Sequence, residues 1–288
     1  MTSTASDLPA PVVLALETVT PDPGTRATTV AAGIPWSSIG WGDPDDRPLL
    51  LIHGVTASAR IWWRVGPALA ATGRRVTAVD LPGHGQTGNW LGHHRFRDNA
   101  IDLAAWIHEA GLVSTRLQIV GHSYGAMTAA ALPRTGIRPA TLVLLDPPAV
   151  PLARIAQMAS DPSEQPNRNM AEAIATLMAL NPDWSAGDVE AKAEGLVQLD
   201  LDAARAILLE NGDWDGGLAD LEDPAASGIP TWIVRGDPIV GGLLPDANLP
   251  ALTAMVGADH VITLFGAPHA PQRTHAKALV AALLRALG

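Results

Sequence analysis

The stretch LQIVGHSYGAMTAAAL, residues Leu117–Leu132, places a serine between two glycines where an apolar run gives way to an alanine-rich one. The apolar run is typical of a buried strand, and the alanine-rich segment favours a helix. The spacing G-x-S-x-G then predicts a sharp strand-to-helix turn, with glycine at both sides because a side chain there would collide across the bend. Such a turn exposes the Ser123 hydroxyl at a helix N-terminus, where free backbone N–H groups favour developing negative charge.

Short apolar runs like the one before Ser123 recur along the chain, each bounded by turn residues. Their apolarity is continuous rather than alternating, which indicates strands buried on both faces, as in a parallel sheet. Segments with helical periodicity separate them, so the sequence predicts an α/β fold: a doubly wound, mostly parallel sheet flanked by helices. The runs are Leu49–Gly54, Arg75–Gly85, Leu117–Ser123, Thr141–Pro148, Thr231–Pro238 and His260–Gly266.

The alternation of strands and helices is interrupted once. Residues 148–228 contain helical patterns without a strand-like run, which predicts an all-helical cap, or lid, inserted between two late strands. The core is therefore expected to comprise residues 26–147 and 229–288. Residues 1–25 are expected to form a loosely held N-terminal arm.

Composition excludes several classes of function. The formal net charge of the 288 residues is -10 and only two lysines occur, Lys192 and Lys277, which argues against a nucleic-acid partner. With no cysteine, the chain has no disulfide, thiolate metal site or cysteine nucleophile. The N-terminus lacks the charged and apolar regions of a signal peptide, and no apolar run is long enough to span a bilayer. These features predict a soluble, cytoplasmic protein without a membrane partner.

The elbow and two further motifs resemble the α/β-hydrolase family. LLLIHGVTAS (Leu49–Ser58) is similar to that family's strand ending in His-Gly, and VDLPGHGQTG (Val79–Gly88) to its glycine-rich turn. The similarity extends over most of Pro35–Gly288. It implies that the backbone N–H groups of Val55 and Tyr124 form an oxyanion hole beside Ser123.

The same resemblance implies a base and an acid later in the chain, in the order Ser, Asp or Glu, His. His269 follows the last strand-like run and is the expected base. Asp237, after the penultimate run, is the expected acid, although it directly follows Gly236 and the family's usual acid position is occupied by Ile239. Asp146, one strand earlier, is the alternative acid.

The large rings of the chain suggest where a substrate binds. Tryptophan supplies nine of its twelve aromatic residues. An apolar or aromatic ligand would suit such rings, and His53 lies beside the expected oxyanion hole. The predicted substrate contacts are Trp62, Trp63, Trp184, Trp214 and His53.

Together these residues predict a serine hydrolase that cleaves a small carboxylic ester or lactone through an acyl-enzyme. The mechanism needs no metal and no cofactor. Four alternatives stay open on the same fold: a C–C bond hydrolase, a perhydrolase, an acyltransferase and a small-molecule receptor with low turnover.

Overall fold

An eight-stranded sheet forms the centre of the molecule in the computed structural model, which describes residues 8–18, 22–89, 92–158 and 160–288. The strand order is β1-β2-β4-β3-β5-β6-β9-β10. β1 and β2, and β2 and β4, pair antiparallel, and the remaining neighbours pair parallel. The strands are β1 (Thr25–Ala31), β2 (Ile34–Trp41), β3 (Arg47–Ile52), β4 (Arg74–Val79), β5 (Gln118–His122), β6 (Thr141–Leu145), β7 (Ala149–Val150), β8 (Trp214–Asp215), β9 (Thr231–Arg235) and β10 (Val261–Thr263).

All six predicted strands are present and form the parallel part of the sheet. β5 and β6 are buried along their whole length, which explains their continuous apolar sequences. Within this sheet, the two strands that the apolar runs do not reveal are β1 and β2, an antiparallel pair at one edge. β1 is exposed over most of its length, so it lacks such a run.

Helices cover both faces of the sheet, which confirms the predicted fold class. Alternate residues of β3 separate the two layers: Leu50 and Ile52 pack under α3 and α4, whereas Leu49 and Leu51 pack under α1, α2 and α12. The helices are α1 (Ala10–Glu17), α2 (Val65–Ala70), α3 (Phe96–Glu109), α4 (Tyr124–Ala131), α5 (Leu152–Met158), α6 (Met170–Leu180), α7 (Ala186–Val197), α8 (Leu201–Glu210), α9 (Leu218–Leu221), α10 (Leu249–Val256), α11 (Pro271–Thr274) and α12 (Ala276–Leu287).

The described part of the N-terminal arm differs from the expectation of a loosely held segment. Helix α1 packs on the core through Val12, which is fully buried, and Leu16. Glu17 also accepts a hydrogen bond from Lys277 Nζ at 2.6 Å. These contacts fix residues 10–17 against α12, while residues 1–7 and 19–21 lie outside the described part of the chain.

Residues 148–228, here named the cap segment, connect β6 to β9 and contain α5 to α9. The segment is not all-helical, since β7 and β8 pair antiparallel within it. Helices α6 and α7 share a small apolar core of their own, centred on Leu177, Val189 and Leu196. Within the described residues, no helix has the length and apolarity that crossing a bilayer requires.

The strand order brings three loops together. After β3 the chain moves to β4 on one side, then returns to β5 on the other, so the order reverses between β3 and β5. The carboxyl ends of β3, β5 and β6 meet at the same edge of the sheet. Val55, Ser123 and Asp146 follow these three strands.

Candidate active site

Ser123 lies on the strained turn between β5 and α4. Its φ is 56° and its ψ is -120°, a conformation that L-residues rarely adopt. A Cβ at Gly121 would lie 2.2 Å from the Gly125 carbonyl oxygen, and one at Gly125 would lie 2.4 Å from that of His53. Both glycines are therefore required by close backbone approach, as the elbow motif predicts.

His269 lies between a hydroxyl and a carboxylate. Its Nε2 is 2.9 Å from Ser123 Oγ, and its Nδ1 is 2.6 Å from Asp146 Oδ2. The pairing fits the tautomer in which Nδ1–H donates to the carboxylate and Nε2 accepts the serine proton. The Asp146 side chain is fully buried, whereas 24 % of the His269 side chain is exposed. The structure thus unites Ser123, His269 and Asp146.

Asp146 is held by backbone groups as well as by His269. It follows β6 with a φ of 42°, and its carboxylate accepts N–H donation from Gly236 and Leu243, both at 2.9 Å. Hydrogen bonds to a carboxylate stabilise its charged form and fix its orientation. A buried anion with three donors is well suited to orient an imidazole.

The prediction that Asp237 pairs with His269 is wrong. Its Oδ1 accepts the Ile239 N–H at 3.0 Å and its Oδ2 the Gly266 N–H at 2.9 Å. These bonds, that from Gly266 foremost, lower the pKa of Asp237. Asp237 is the N-cap of a short 3-10 helix that begins with Pro238, so its carboxylate is engaged by its own loop and by the loop after β10 and not by His269.

The loop after β3 contributes the candidate oxyanion donors. A Cβ at Gly54 would lie 2.9 Å from Ser123 Cβ, so this loop touches the elbow directly. Within the described residues, the N–H groups of Val55 and Tyr124 have no hydrogen-bond acceptor in the protein. Both are therefore free for a ligand, as an oxyanion hole requires.

His53 supports this loop and is not a substrate contact. Its side chain is fully buried. Its Nδ1–H donates to the Gly54 carbonyl at 2.7 Å, and its Nε2 accepts the Leu81 N–H at 3.0 Å. Burial lowers the pKa of His53 to about 4, which keeps the ring neutral. A neutral ring can donate from Nδ1 and accept at Nε2 at the same time. Both nitrogens are engaged, so the prediction that His53 binds substrate is wrong.

His122 is a supporting residue that the sequence reasoning missed. It donates from Nε2 to the His269 carbonyl at 2.8 Å, while its Nδ1 is 3.3 Å from Gln272 Nε2. Burial lowers its pKa well below the ordinary value, so the neutral ring tethers the backbone of His269. Its place between Gly121 and Ser123 was the signal that could have indicated it.

The four tryptophans that were predicted to contact substrate lie in different parts of the molecule. Trp62 is fully buried in the core, and Trp63 donates from Nε1 to Asp188 Oδ1 at 3.0 Å. The Trp184 ring packs under the guanidinium of Arg273, and the Trp214 ring lies against Phe96. The structure does not bring these rings together around one ligand site.

An apolar cavity of about 320 Å³ instead lies between the cap segment and the loop after β3. Its wall on the core side includes Val55, the candidate oxyanion donor, and Thr56. Most of the other lining side chains are apolar and come from the cap segment: Ala156, Met158, Pro166, Leu199, Leu201, Ala204, Leu208 and Leu209. The cavity is suited to an acyl or alkyl chain.

Comparison with known proteins relates most of the chain to one family. The family model described as "Alpha/beta hydrolase family" matches residues 49–283 of the sequence. Lipase LipV of Mycobacterium tuberculosis is 36% identical over 110 residues, which are 37% of this chain and 40% of that protein. Polyneuridine aldehyde esterase of Rauvolfia serpentina is 34% identical over 83 residues, 28% of this chain and 31% of the relative. The matched stretches thus span less than half of these relatives.

Solved structures agree in fold. E-2-(Acetamidomethylene)succinate hydrolase superposes with a TM-score of 0.76 at 21% identity, covering 91% of this chain and 98% of the other. An esterase from Rhodococcus sp. ECU1013 gives a TM-score of 0.69 at 19% identity, with 91% and 98% covered. At these identities the likeness concerns the fold alone.

Proposed function

Because the chain belongs to the alpha/beta hydrolase family, we propose that it is a serine hydrolase that cleaves carboxylic esters through an acyl-enzyme. The observation that carries the proposal is the pair of distances at His269, 2.9 Å to Ser123 Oγ and 2.6 Å to Asp146 Oδ2. A serine hydroxyl needs such a base, and the base needs such a carboxylate.

In the proposed reaction, Ser123 Oγ attacks the ester carbonyl while His269 Nε2 takes the hydroxyl proton. Asp146 orients the imidazole and stabilises its positive charge. The N–H groups of Val55 and Tyr124 donate to the oxyanion of the tetrahedral intermediate. His269 then passes the proton to the leaving alkoxide, and the acyl group stays on Ser123. His269 next deprotonates a water molecule that attacks the acyl carbonyl, and it returns this proton to Ser123 Oγ as the acid leaves. No step requires a metal or a cofactor.

The apolar cavity beside Val55 supports an apolar substrate. Burial of each methylene contributes about 0.8 kcal/mol, which corresponds to roughly fourfold in affinity or rate. We propose that the cavity takes an alkyl chain of the ester, so that longer acyl or alkyl groups react faster until the cavity is full. Lactones with an apolar side chain are substrates of the same kind.

The proposed function is tested with p-nitrophenyl butyrate. Replacement Ser123→Ala removes the nucleophile and should lower kcat by about a millionfold, to the level left by binding and the oxyanion donors. Circular dichroism of the variant should match that of the parent protein. Hydrolysis at the parent rate by the alanine variant would reject the proposal.

A further inference from the structure

A buried ammonium group lies on the cap side of the loop after β3. Lys192, on α7, is only 2% exposed. Its Nζ donates to the Thr56 carbonyl at 3.1 Å, to Thr56 Oγ1 at 2.8 Å and to Glu164 Oε2 at 2.6 Å. An ammonium has three N–H donors, and all three are used here. Two of them act on the residue that follows Val55.

Thr56 adopts a conformation that needs outside support. Its φ is 59°, in the left-handed region that a β-branched residue rarely occupies. Such strain persists only where neighbouring groups hold the backbone. Here the partners come from the cap segment, because the Thr56 hydroxyl donates to Glu164 while Lys192 holds the carbonyl.

The backbone of α7 also rests directly on this loop. A Cβ at Gly195 would lie 3.1 Å from Ala57 Cα and 3.3 Å from the Thr56 carbonyl oxygen. These distances are tighter than ordinary van der Waals contact. The ammonium of Lys192 therefore reaches the loop from a helix that is already seated on it.

The carbonyl groups of Gly54 and Thr56, the two residues that flank Val55, are thus fixed from opposite directions. His53 holds the Gly54 carbonyl from the core, and Lys192 holds the Thr56 carbonyl from the cap segment. Burying an ammonium is costly, and an apolar side chain would pack in its place without that cost. What an apolar side chain lacks is a donor for the Thr56 carbonyl.

We propose that Lys192 is a positioning residue that, with Glu164, holds the Thr56 backbone so that the Val55 N–H points at the oxyanion. The oxyanion hole is then complete only when the cap segment is seated on the loop after β3. This inference rests on the proposed serine hydrolase function.

The test compares Lys192→Met and Lys192→Ala with the parent protein on p-nitrophenyl butyrate. Mispositioning one oxyanion donor should lower kcat on the order of 100-fold, while KM changes less than about threefold. An alkyl trifluoromethyl ketone forms an oxyanion on Ser123, so its inhibition constant should rise by the same factor as kcat/KM falls. The control is Lys277→Met, which removes the exposed pair with Glu17 and should leave kcat unchanged.

Chemical rescue separates the positioning role from packing. Addition of n-propylammonium should restore at least tenfold in kcat to Lys192→Ala, whereas n-propanol, which fills the same space without the charge, should not. If the lysine variants fail to fold, Glu164→Gln and Gly195→Ala disturb the same contact and should lower kcat in the same way. Normal kcat and normal ketone affinity in folded variants would overturn the inference, with the parent protein still active. An inactive parent protein that does not bind the ketone would overturn the proposed function and this inference with it.

Discussion

The two sides of Ser123 are built in different ways. On one side, Asp146 and His269 belong to the core and are held by core groups: backbone N–H groups of Gly236 and Leu243 donate to Asp146, and the His122 side chain donates to the His269 carbonyl. On the other side, the loop with Val55 and Thr56 is held partly by Lys192, 136 residues later in the chain and part of the cap segment. In the proposed mechanism, the core therefore supplies the nucleophile, whereas the cap segment completes charge stabilisation and the acyl cavity.

The largest expected loss of activity comes from the core side of Ser123, and it distinguishes Asp146 from Asp237. Replacement Asp146→Asn should lower kcat by about ten-thousandfold, because the amide no longer favours the productive His269 tautomer or stabilises its positive charge. The matched variant Asp237→Asn keeps an oxygen that caps the Pro238 turn, so we expect less than about a tenfold loss. Steady-state hydrolysis of p-nitrophenyl butyrate measures both. Near-parental turnover in Asp146→Asn would show that His269 works without this carboxylate.

On the cap side, we expect a smaller effect on hydrolysis, which depends on the acyl chain length of the ester. Ala204 lines the apolar cavity, so Ala204→Phe should fill it and abolish a preference for hexanoate over butyrate esters, about 16-fold for two methylenes. Acetate hydrolysis should change less than about threefold. Ala206→Phe, on the same helix but outside the cavity lining, is the control. If chain-length preference survives in Ala204→Phe, the acyl group binds elsewhere.

The smallest effect concerns stability and pH. Burial lowers the pKa of Lys192 from 10.5 to about 8, although Glu164 and Asp161 oppose the decrease and Arg273 adds to it. Between these pH values the unfolded chain binds more protons than the folded one, so this residue makes folding more favourable as pH rises. The Tm of the parent protein should therefore gain a few degrees relative to Lys192→Met between pH 7.5 and 10.

Over the same pH range, the kcat of the parent protein should fall while its Tm rises relative to that of Lys192→Met. Loss of the ammonium proton removes a donor and the charge that pairs with Glu164, so kcat should fall above pH 8 in the parent but not in Lys192→Met. A Tm difference that is independent of pH would show that folding leaves the pKa of Lys192 at its ordinary value.

Features that depend only on neighbouring residues could be predicted from the sequence. The strand, the two glycines and the helix around Ser123 are adjacent in the chain, and the continuous apolar runs mark the six parallel strands. β1 escaped because it is exposed over most of its length, and β2, although mostly buried, because two serines interrupt the apolar residues of IPWSSIGW. The two short strands of the cap segment escaped because two residues are too few to form a pattern.

The roles of Asp146 and Lys192 depend on contacts between segments that are far apart in the chain. Asp146 and Asp237 both follow parallel strands, and the choice between them rests on where the loops after β9 and β10 fold. The Asp-Pro pair at residues 237–238 was a usable signal, since it favours an N-cap. Nothing adjacent to Lys192 in the chain indicates its partners, Thr56 and Glu164.

The central claim is that Ser123 is reactive because His269, oriented by Asp146, accepts its proton. The most direct test is the rate at which a fluorophosphonate modifies the protein, with the modified residue identified by peptide mass spectrometry. We expect rapid formation of a single adduct on Ser123 and a rate lower by several orders of magnitude in Asp146→Asn. An adduct on another residue, or equal rates in the two proteins, would contradict it.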